Sequence, residues 1–390
     1  MNVAADISAD RGALAARLLR RPGWLTPADM CVLRIWLLSR CAVLVLTWPG
    51  VSVLQGSAKA SRPWLSLWQN WDAVRLQAIA QYGYFGPAGH ALPNQAAFFP
   101  GFPVVLAAVH LIVRQWTVSG LLVSFVAGGV AVVALSRLTD RDYHPGCGSK
   151  AALFLVASPA AIFLAAGYAE ALFLAAALCG WLAARNGRRT LAVMLAGLAC
   201  VIKVDGLFVC AALAAEILRT GHGRRVRSLA AFVPALIPLA AFALYLWLRT
   251  GDWLAWQHAE LAGWQRRFTN PVTTFKTTWT AGFSREFAAP VSFAFQLEIL
   301  AVLIGVAAMI ALLRYRRWPE AVYVGLSITA LATSVWYESV PRALLLLWPA
   351  WCGLAAAAAR RAWLSQLYLA VSIPVSVSIG LLFVSGNWAG

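Results

Sequence analysis

Long apolar runs recur along the whole of this chain, and its charged residues are confined to short clusters between them. The runs fall near 30–50, 118–138, 151–166, 168–184, 229–248, 291–313, 319–336, 343–359 and 363–385. Hydrocarbon offers no water to backbone amides, so only helices or closed barrels cross a bilayer, and apolar runs of this length read as helices. Composition agrees. Of 390 residues, 61% are hydrophobic and 12% charged, where a soluble domain carries about 25% charged. Too few polar side chains remain to cover a surface facing water. A net charge of +17 would suggest nucleic acid in a soluble protein. Here the basic residues sit in loops between apolar segments, as the positive-inside bias places them, and no nucleic-acid partner is expected.

The basic clusters set the topology. The segment 190–218 is broken by Lys203, Asp205 and Gly206 and flanked by arginines on both sides. If both flanks are cytoplasmic, the chain must go out and return, which predicts two short helices, 190–202 and 206–218, with Lys203-Val204-Asp205 at the turn. The segment 98–115 is read as a helix along the outer membrane surface. Arg11, Arg17, Arg20 and Arg21, then Arg137, Arg141 and Lys150, then Arg185 to Arg189, Arg219 to Arg227, Arg314 to Arg317, and Arg360 with Arg361 then all fall inside. About 11 crossings result, with the N-terminus in and the C-terminus out. Residues 1–27 form a cytoplasmic N-terminal segment with no cleavable signal, and 28–390 a single membrane domain. Its large outer loops are 51–117 and 249–290, and the turns at Tyr168-Ala169-Glu170, Lys203 and Glu338 to Arg342 also face outward.

The outer loops hold the candidate chemistry. Asp72 follows Trp71 in an amphipathic stretch reaching Tyr84, and a carboxylate among apolar side chains is partly desolvated, as suits a general base. Arg75 lies three residues on, where a plain ion pair with Asp72 is the alternative. Glu170 follows Tyr168 at a helix start, where the helix dipole alone would favour an acid. Lys203 and Asp205 interrupt apolar sequence and are functional candidates unless they simply pair with each other. Arg342, directly after Pro341 at a helix start, could bind phosphate or pair with Glu338. Trp264, Arg266 and Arg267 read as headgroup contacts or as interfacial anchors. His90, His110, His144, His222 and His258 have no metal-ligand spacing, and the seven cysteines make no Cys-x-x-Cys pair; they read as ordinary surface or core residues. No phosphate-cradling glycine motif for a soluble nucleotide is present, so a sugar donor, if any, would be membrane-borne.

Longer blocks carry a resemblance. Trp71-Asp72-Ala73, Ile79-Ala80, Gly83-Tyr84 and Ala97-Phe98-Phe99-Pro100-Gly101-Phe102-Pro103 resemble the first-loop signature of the PIG-V mannosyltransferases. Ser158 to Phe173, Lys203-Val204-Asp205-Gly206, Trp264 with Arg266 and Pro271, and Ser339-Val340-Pro341-Arg342 resemble the later blocks, in family order. The resemblance implies an all-α polytopic bundle of the GT-C type whose long first extracytoplasmic loop carries the catalytic carboxylate. It implies inverting transfer of mannose from polyprenyl-phosphate-mannose to a hydroxyl of an extracytoplasmic glycolipid, glycan, protein or secreted metabolite.

On that reading Asp72 is the base, and Arg342, Arg266 and Lys203 bind the donor phosphate. Arg75, Glu170, Tyr168 and Trp71 complete the substrate site. No cofactor is expected and no metal is required, because a lipid phosphate paired with arginine leaves readily. Lys203 stands where the family usually has Arg, and Arg75 where it often has His. The Ala- and Arg-rich composition suggests a bacterial chain in the cell membrane, for which a GPI acceptor is not expected. Partners are membrane lipid, the lipid-linked donor, an unknown acceptor and conceivably a small membrane subunit. The competing reading is a lipid-linked-sugar transporter or another non-enzymatic membrane protein, which broken helices around Lys203 and Asp205 would suit.

Overall fold

The structure, a computed structural model, describes residues 25–59, 63–87, 92–220, 230, 232–284 and 286–387. His90, His222, the basic residues Arg11 to Arg21 and the cluster Arg224, Arg225 and Arg227 lie outside the described residues, as does nearly all of the expected N-terminal segment 1–27.

The described residues form helices and no strand. In chain order these are α1 (Pro27–Lys59), α2 (Asp72–Tyr82), α3 (Gly101–Val113), α4 (Trp116–Asp142), α5 (Gly148–Val156), α6 (Ala169–Arg185), α7 (Arg189–Ile202) and α8 (Gly206–Thr220). There follow α9 (Ile237–Thr250), α10 (Ala255–Trp264), α11 (Pro271–Phe283), α12 (Ala289–Arg314), α13 (Trp318–Ala332), α14 (Val340–Leu344), α15 (Trp348–Arg360) and α16 (Ala362–Val384). Short 3-10 turns lie at Trp64–Trp68, Gln95–Ala97, Ala161–Leu164 and Val233–Leu236. Five segments are long and apolar enough to cross a bilayer alone: Pro27–Thr47, Trp116–Asp142, Val233–Thr250, Val291–Arg314 and Ala362–Val384. The protein is a multi-pass membrane protein. The other expected crossings fall on helices such as α6, α7, α8, α13 and α15, with 17, 14, 15, 13 and 15 residues for α6, α7, α8, α15 and α13. At about 1.5 Å per residue these reach roughly 20–25 Å, less than a hydrocarbon core of about 30 Å.

Three runs read as continuous spans are broken. The run 151–166 ends as helix at Val156 and resumes as the 3-10 turn Ala161–Leu164. Pro159 lacks an amide hydrogen and forces the preceding residue away from helical geometry. The run 343–359 divides into α14 and α15, with Pro349 in the first turn of the latter. The run 229–248 enters α9 through the proline-containing turn Val233–Leu236. Helix α1 also continues to Lys59, through the first residues assigned to the outer loop. The predicted helices 190–202 and 206–218 appear as α7 and α8, and the segment 98–115 contains the short helix α3.

Small residues let the helices approach. The principal packing runs from α4 to α6, α6 to α7, and α8 to α13. On α4 a Cβ at Gly128 would stand 2.3 Å from the Trp36 ring, and one at Gly120 would stand 3.2 Å from Gly167. Such close approach is how helices gain van der Waals contact where lipid removes the hydrophobic drive. Ser124 Oγ donates to the Ala166 carbonyl at 2.6 Å, which also accepts from the Tyr168 amide at 2.7 Å. Phe173, Leu174, Leu178 and Trp181 of α6 are buried at the centre of the main core.

Candidate active site

The polar residues converge where the loops 51–117 and 249–290 meet the α7–α8 turn. Backbone contact sets this geometry. A Cβ on Gly206 would come within 2.3 Å of the Cys200 amide nitrogen, so its lack of a side chain permits the sharp return from α7 to α8. A Cβ on Gly101 would come within 2.7 Å of the Val201 carbonyl oxygen, so the start of α3 lies directly on the end of α7. The second loop closes over the first. Trp256 Nε1 donates to the Ala97 carbonyl at 3.2 Å, and Trp264 meets Phe98 edge-on with ring centroids 5.5 Å apart.

An open cleft lies between these parts, lined by Asp72, Phe98, Glu170, Lys203, Asp205, Glu260, Trp264, Arg266 and Arg342 among others. Arg342 Nη1 lies 2.7 Å from Asp72 Oδ2, and its Nε lies 3.5 Å from Glu170 Oε1. Lys203 Nζ lies 3.1 Å from the same Glu170 oxygen. Two carboxylates and two cations thus form one chain, Asp72–Arg342–Glu170–Lys203. Asp72 begins α2, Glu170 is in the first turn of α6, and Lys203 caps the end of α7. Each of these charges sits at the helix end whose dipole favours it. Arg342 rests above the rings of Phe163 and Tyr168, at 5.5 and 5.7 Å. Burial works against its charge, but Asp72 and Glu170 outweigh that and hold its pKa above the ordinary arginine value.

The local pairings read from the sequence are not the ones formed. Arg75 donates to the Pro93 carbonyl and stacks over Trp264 at 5.2 Å, leaving Asp72 to Arg342. Lys203 turns to Glu170 rather than to Asp205, and Arg342 takes Asp72 and Glu170 rather than Glu338. Lys203 and Arg342 both reach Glu170 of α6, a buried carboxylate on another helix, and attraction is stronger where water is excluded.

The remaining expected residues take different places. Arg266 lines the cleft and lies 3.6 Å from Glu260, while Arg267 is exposed. Tyr168 is buried and donates to the Asn70 carbonyl at 3.1 Å. Trp71 is 48% exposed and has φ of 52°. A bulky residue rarely adopts that conformation; the turn is anchored by the Asn70 side chain, whose Nδ2 donates to the carbonyls of Leu67 and Phe383, both at 2.8 Å. The strained turn delivers Asp72 to the cleft. Among the described residues no three His, Cys, Asp or Glu converge as a metal site.

Two acids escaped the sequence reading. Glu260 lies in the cleft wall, where burial raises its pKa against the opposing charge of Arg266. Glu298 lies buried on α12 and accepts from the amides of Ser339 and Val340 at 2.8 and 2.7 Å. A lone carboxylate in an apolar span was a readable signal, since such residues are functional candidates by default.

Fold and site together define a polytopic helical membrane protein with an acid-and-cation cleft assembled by two loops and a broken helix pair. Residues 54–224, a segment that contains Asp72, Glu170 and Lys203, match the family described as Mannosyltransferase (PIG-V). The chain is 33% identical over 151 residues to the human GPI alpha-1,6-mannosyltransferase 2, covering 35% of this chain and 29% of that protein. The mouse protein of the same description is 33% identical over 148 residues, with the same shares covered. The match therefore spans less than a third of the length of these curated relatives. Among solved structures, the Archaeoglobus fulgidus oligosaccharyltransferase in the apo form superposes over 90% of this chain and 56% of its own, at 12% identity and a TM-score of 0.42.

Proposed function

We propose that the protein is a GT-C-type membrane mannosyltransferase that uses a polyprenyl-phosphate-mannose donor at the extracytoplasmic face. The observation that carries this reading is the 2.7 Å contact of Asp72 with Arg342, set in an open cleft beside Glu170 and Lys203. Asp72 gives one oxygen to Arg342 and uses the other to take the proton of the acceptor hydroxyl. The hydroxyl oxygen bonds to the anomeric carbon as the bond from that carbon to the phosphate oxygen breaks, and the electron pair leaves with the phosphate. Charge grows on the phosphate during transfer, so cations beside it stabilise the transition state more than the ground state. Arg342 takes that role first, then Arg266 and Lys203. Glu170 keeps Arg342 and Lys203 in place, and the Arg75–Trp264 stack forms a wall for sugar or headgroup. No step in this scheme requires a metal.

The test is purified protein in detergent with polyprenyl-phosphate-mannose and an extract of membrane acceptors. Release of polyprenyl phosphate that depends on Asp72 supports the transferase. Movement of the intact lipid between leaflets of proteoliposomes, without release, supports the transporter reading instead. Mass spectrometry of mannosylated lipids, proteins and metabolites after gene deletion identifies the acceptor. For the face of the membrane, single cysteines replace Thr269 and Pro145 in a cysteine-free background, and an impermeant thiol reagent should reach only the first from outside.

A further inference from the structure

Arg342 stands on a helix too short to hold itself in place. Helix α14 has 5 residues, and isolated helices of that length are not stable in water. Its approach is strapped to neighbouring elements. The Thr269 amide donates to the Thr333 carbonyl at 2.7 Å, Thr274 Oγ1 donates to the Ser334 carbonyl, and the Tyr337 amide donates to Thr278 Oγ1 at 2.9 Å. The last strap is different in kind. Both oxygens of Glu298 are engaged, Oε1 by the Ser339 amide and Oε2 by the Val340 amide. Glu298 is 1% exposed, and Ile299, Val302, Tyr337 and Val340 form the apolar cluster beside it. Ser339 is held at φ of 59°, an unfavourable conformation outside glycine. A buried carboxylate gripping the two amides that open α14 fixes both the position and the direction of the helix.

We infer that Glu298 is a positioning residue for Arg342, gripping the start of α14 so that the guanidinium meets Asp72 and the donor phosphate. Glu298 makes no hydrogen bond or ion pair with Asp72 or Arg342, and it reaches Arg342 through the Ser339 and Val340 backbone and, at longer range, through its charge. The inference rests on the reading of Arg342 as the cation that stabilises the leaving phosphate. Glu298→Gln keeps the shape but turns an NH2 group toward one of two amide donors, so one amide loses its acceptor. Displacing a group in an active site by about 1 Å can cost up to about 100-fold in rate, so kcat should fall about 10- to 100-fold with donor KM within about twofold.

The test is a double-mutant cycle together with hydrogen exchange. Glu298→Gln is measured alone and in an Arg342→Ala background, with radiolabelled donor so that slow transfer is still read. If Glu298 works through Arg342, the second background should show a further loss of less than about twofold. Exchange at the Ser339 and Val340 amides should rise in Glu298→Gln, with the remaining helices unchanged. Glu298→Asp, shorter by one methylene, should be intermediate in both readouts. Equal losses in both backgrounds, no loss of kcat, or unchanged exchange at those two amides would overturn the inference. So would failure of both variants to yield folded protein, because Glu298 would then hold the whole bundle. If the wild-type protein transfers no mannose, the reading of function fails while exchange still reports whether Glu298 grips α14.

Discussion

Helix α6 carries charge at both ends, and the two ends are used differently. At its start, Glu170 joins Arg342, Lys203 and Asp72 beside an open cleft. At its end, Arg185 lies 2.7 Å from Asp142 of α4 and 3.0 Å from Glu320 of α13, and also pairs with Glu216 of α8. Arg317 closes that network, 2.7 Å from Glu320 and 3.6 Å above the Tyr143 ring. The cluster at the end ties together four helices and encloses its charges among them. The cluster at the start uses two cations and two acids, and it differs in lining an open cleft that gives onto Arg342. The contrast teaches that burial and ion pairing do not by themselves mark a site. What marks it is charge held in place beside a space.

Substitutions at the two ends should therefore separate activity from stability. The largest effect is expected at Asp72. Replacement by Asn keeps shape and removes the base, and since general-base catalysis contributes about 10²- to 10⁴-fold, turnover should fall by that much with the melting temperature unchanged. Retention of more than about a tenth of wild-type turnover would assign the base elsewhere, with Glu170 the next to examine.

At the opposite end, Arg185→Ala leaves three acids without their common partner. Breaking a buried ion pair costs about 3–5 kcal/mol, so the variant should melt well below the wild type while kcat per folded molecule is preserved. A selective loss of kcat without a stability change would erase the distinction between the two ends.

Arg342→Ala should lower kcat more than it raises KM, by about 30- to 1,000-fold, the value of about 2–4 kcal/mol for a contact made in a dry site as charge develops. Arg342→Lys keeps the charge and loses the planar fork, so it should fall between. Loss of melting temperature with normal kcat would place Arg342 among the structural charges.

The smallest effect is expected at the cleft wall. A cation over an indole contributes about 0.5–2 kcal/mol, so Arg75→Ala should change donor or acceptor KM by a few-fold and leave kcat close to wild type. A loss of kcat comparable to that of Asp72→Asn would bring Arg75 into the reacting centre.

The same comparison shows what was legible in the sequence. Composition and the spacing of apolar runs determined that the chain lives in lipid and is helical, because the solvent preference of each segment is local. The α7–α8 hairpin was readable from flanking arginines and one Lys-Val-Asp-Gly turn, and Asp72, Glu170, Lys203 and Arg342 were readable as ionisable residues beside apolar sequence. The breaks after Val156 and Leu344 were missed because hydropathy averages over a proline, whose effect is on backbone geometry and not on solvent preference. Partner choice was beyond the sequence altogether. Local spacing offered Arg75 to Asp72 and Glu338 to Arg342 at the three- and four-residue spacing of helix neighbours, and Asp205 to Lys203 as the nearest opposite charge. Tertiary packing instead joined Asp72 to Arg342 across 270 residues and Glu170 to Lys203 across 33. Which charges meet is decided by which helix ends the bundle brings to one dry place, and that depends on contacts such as Gly206 on Cys200 and Gly101 on Val201, which no single segment contains.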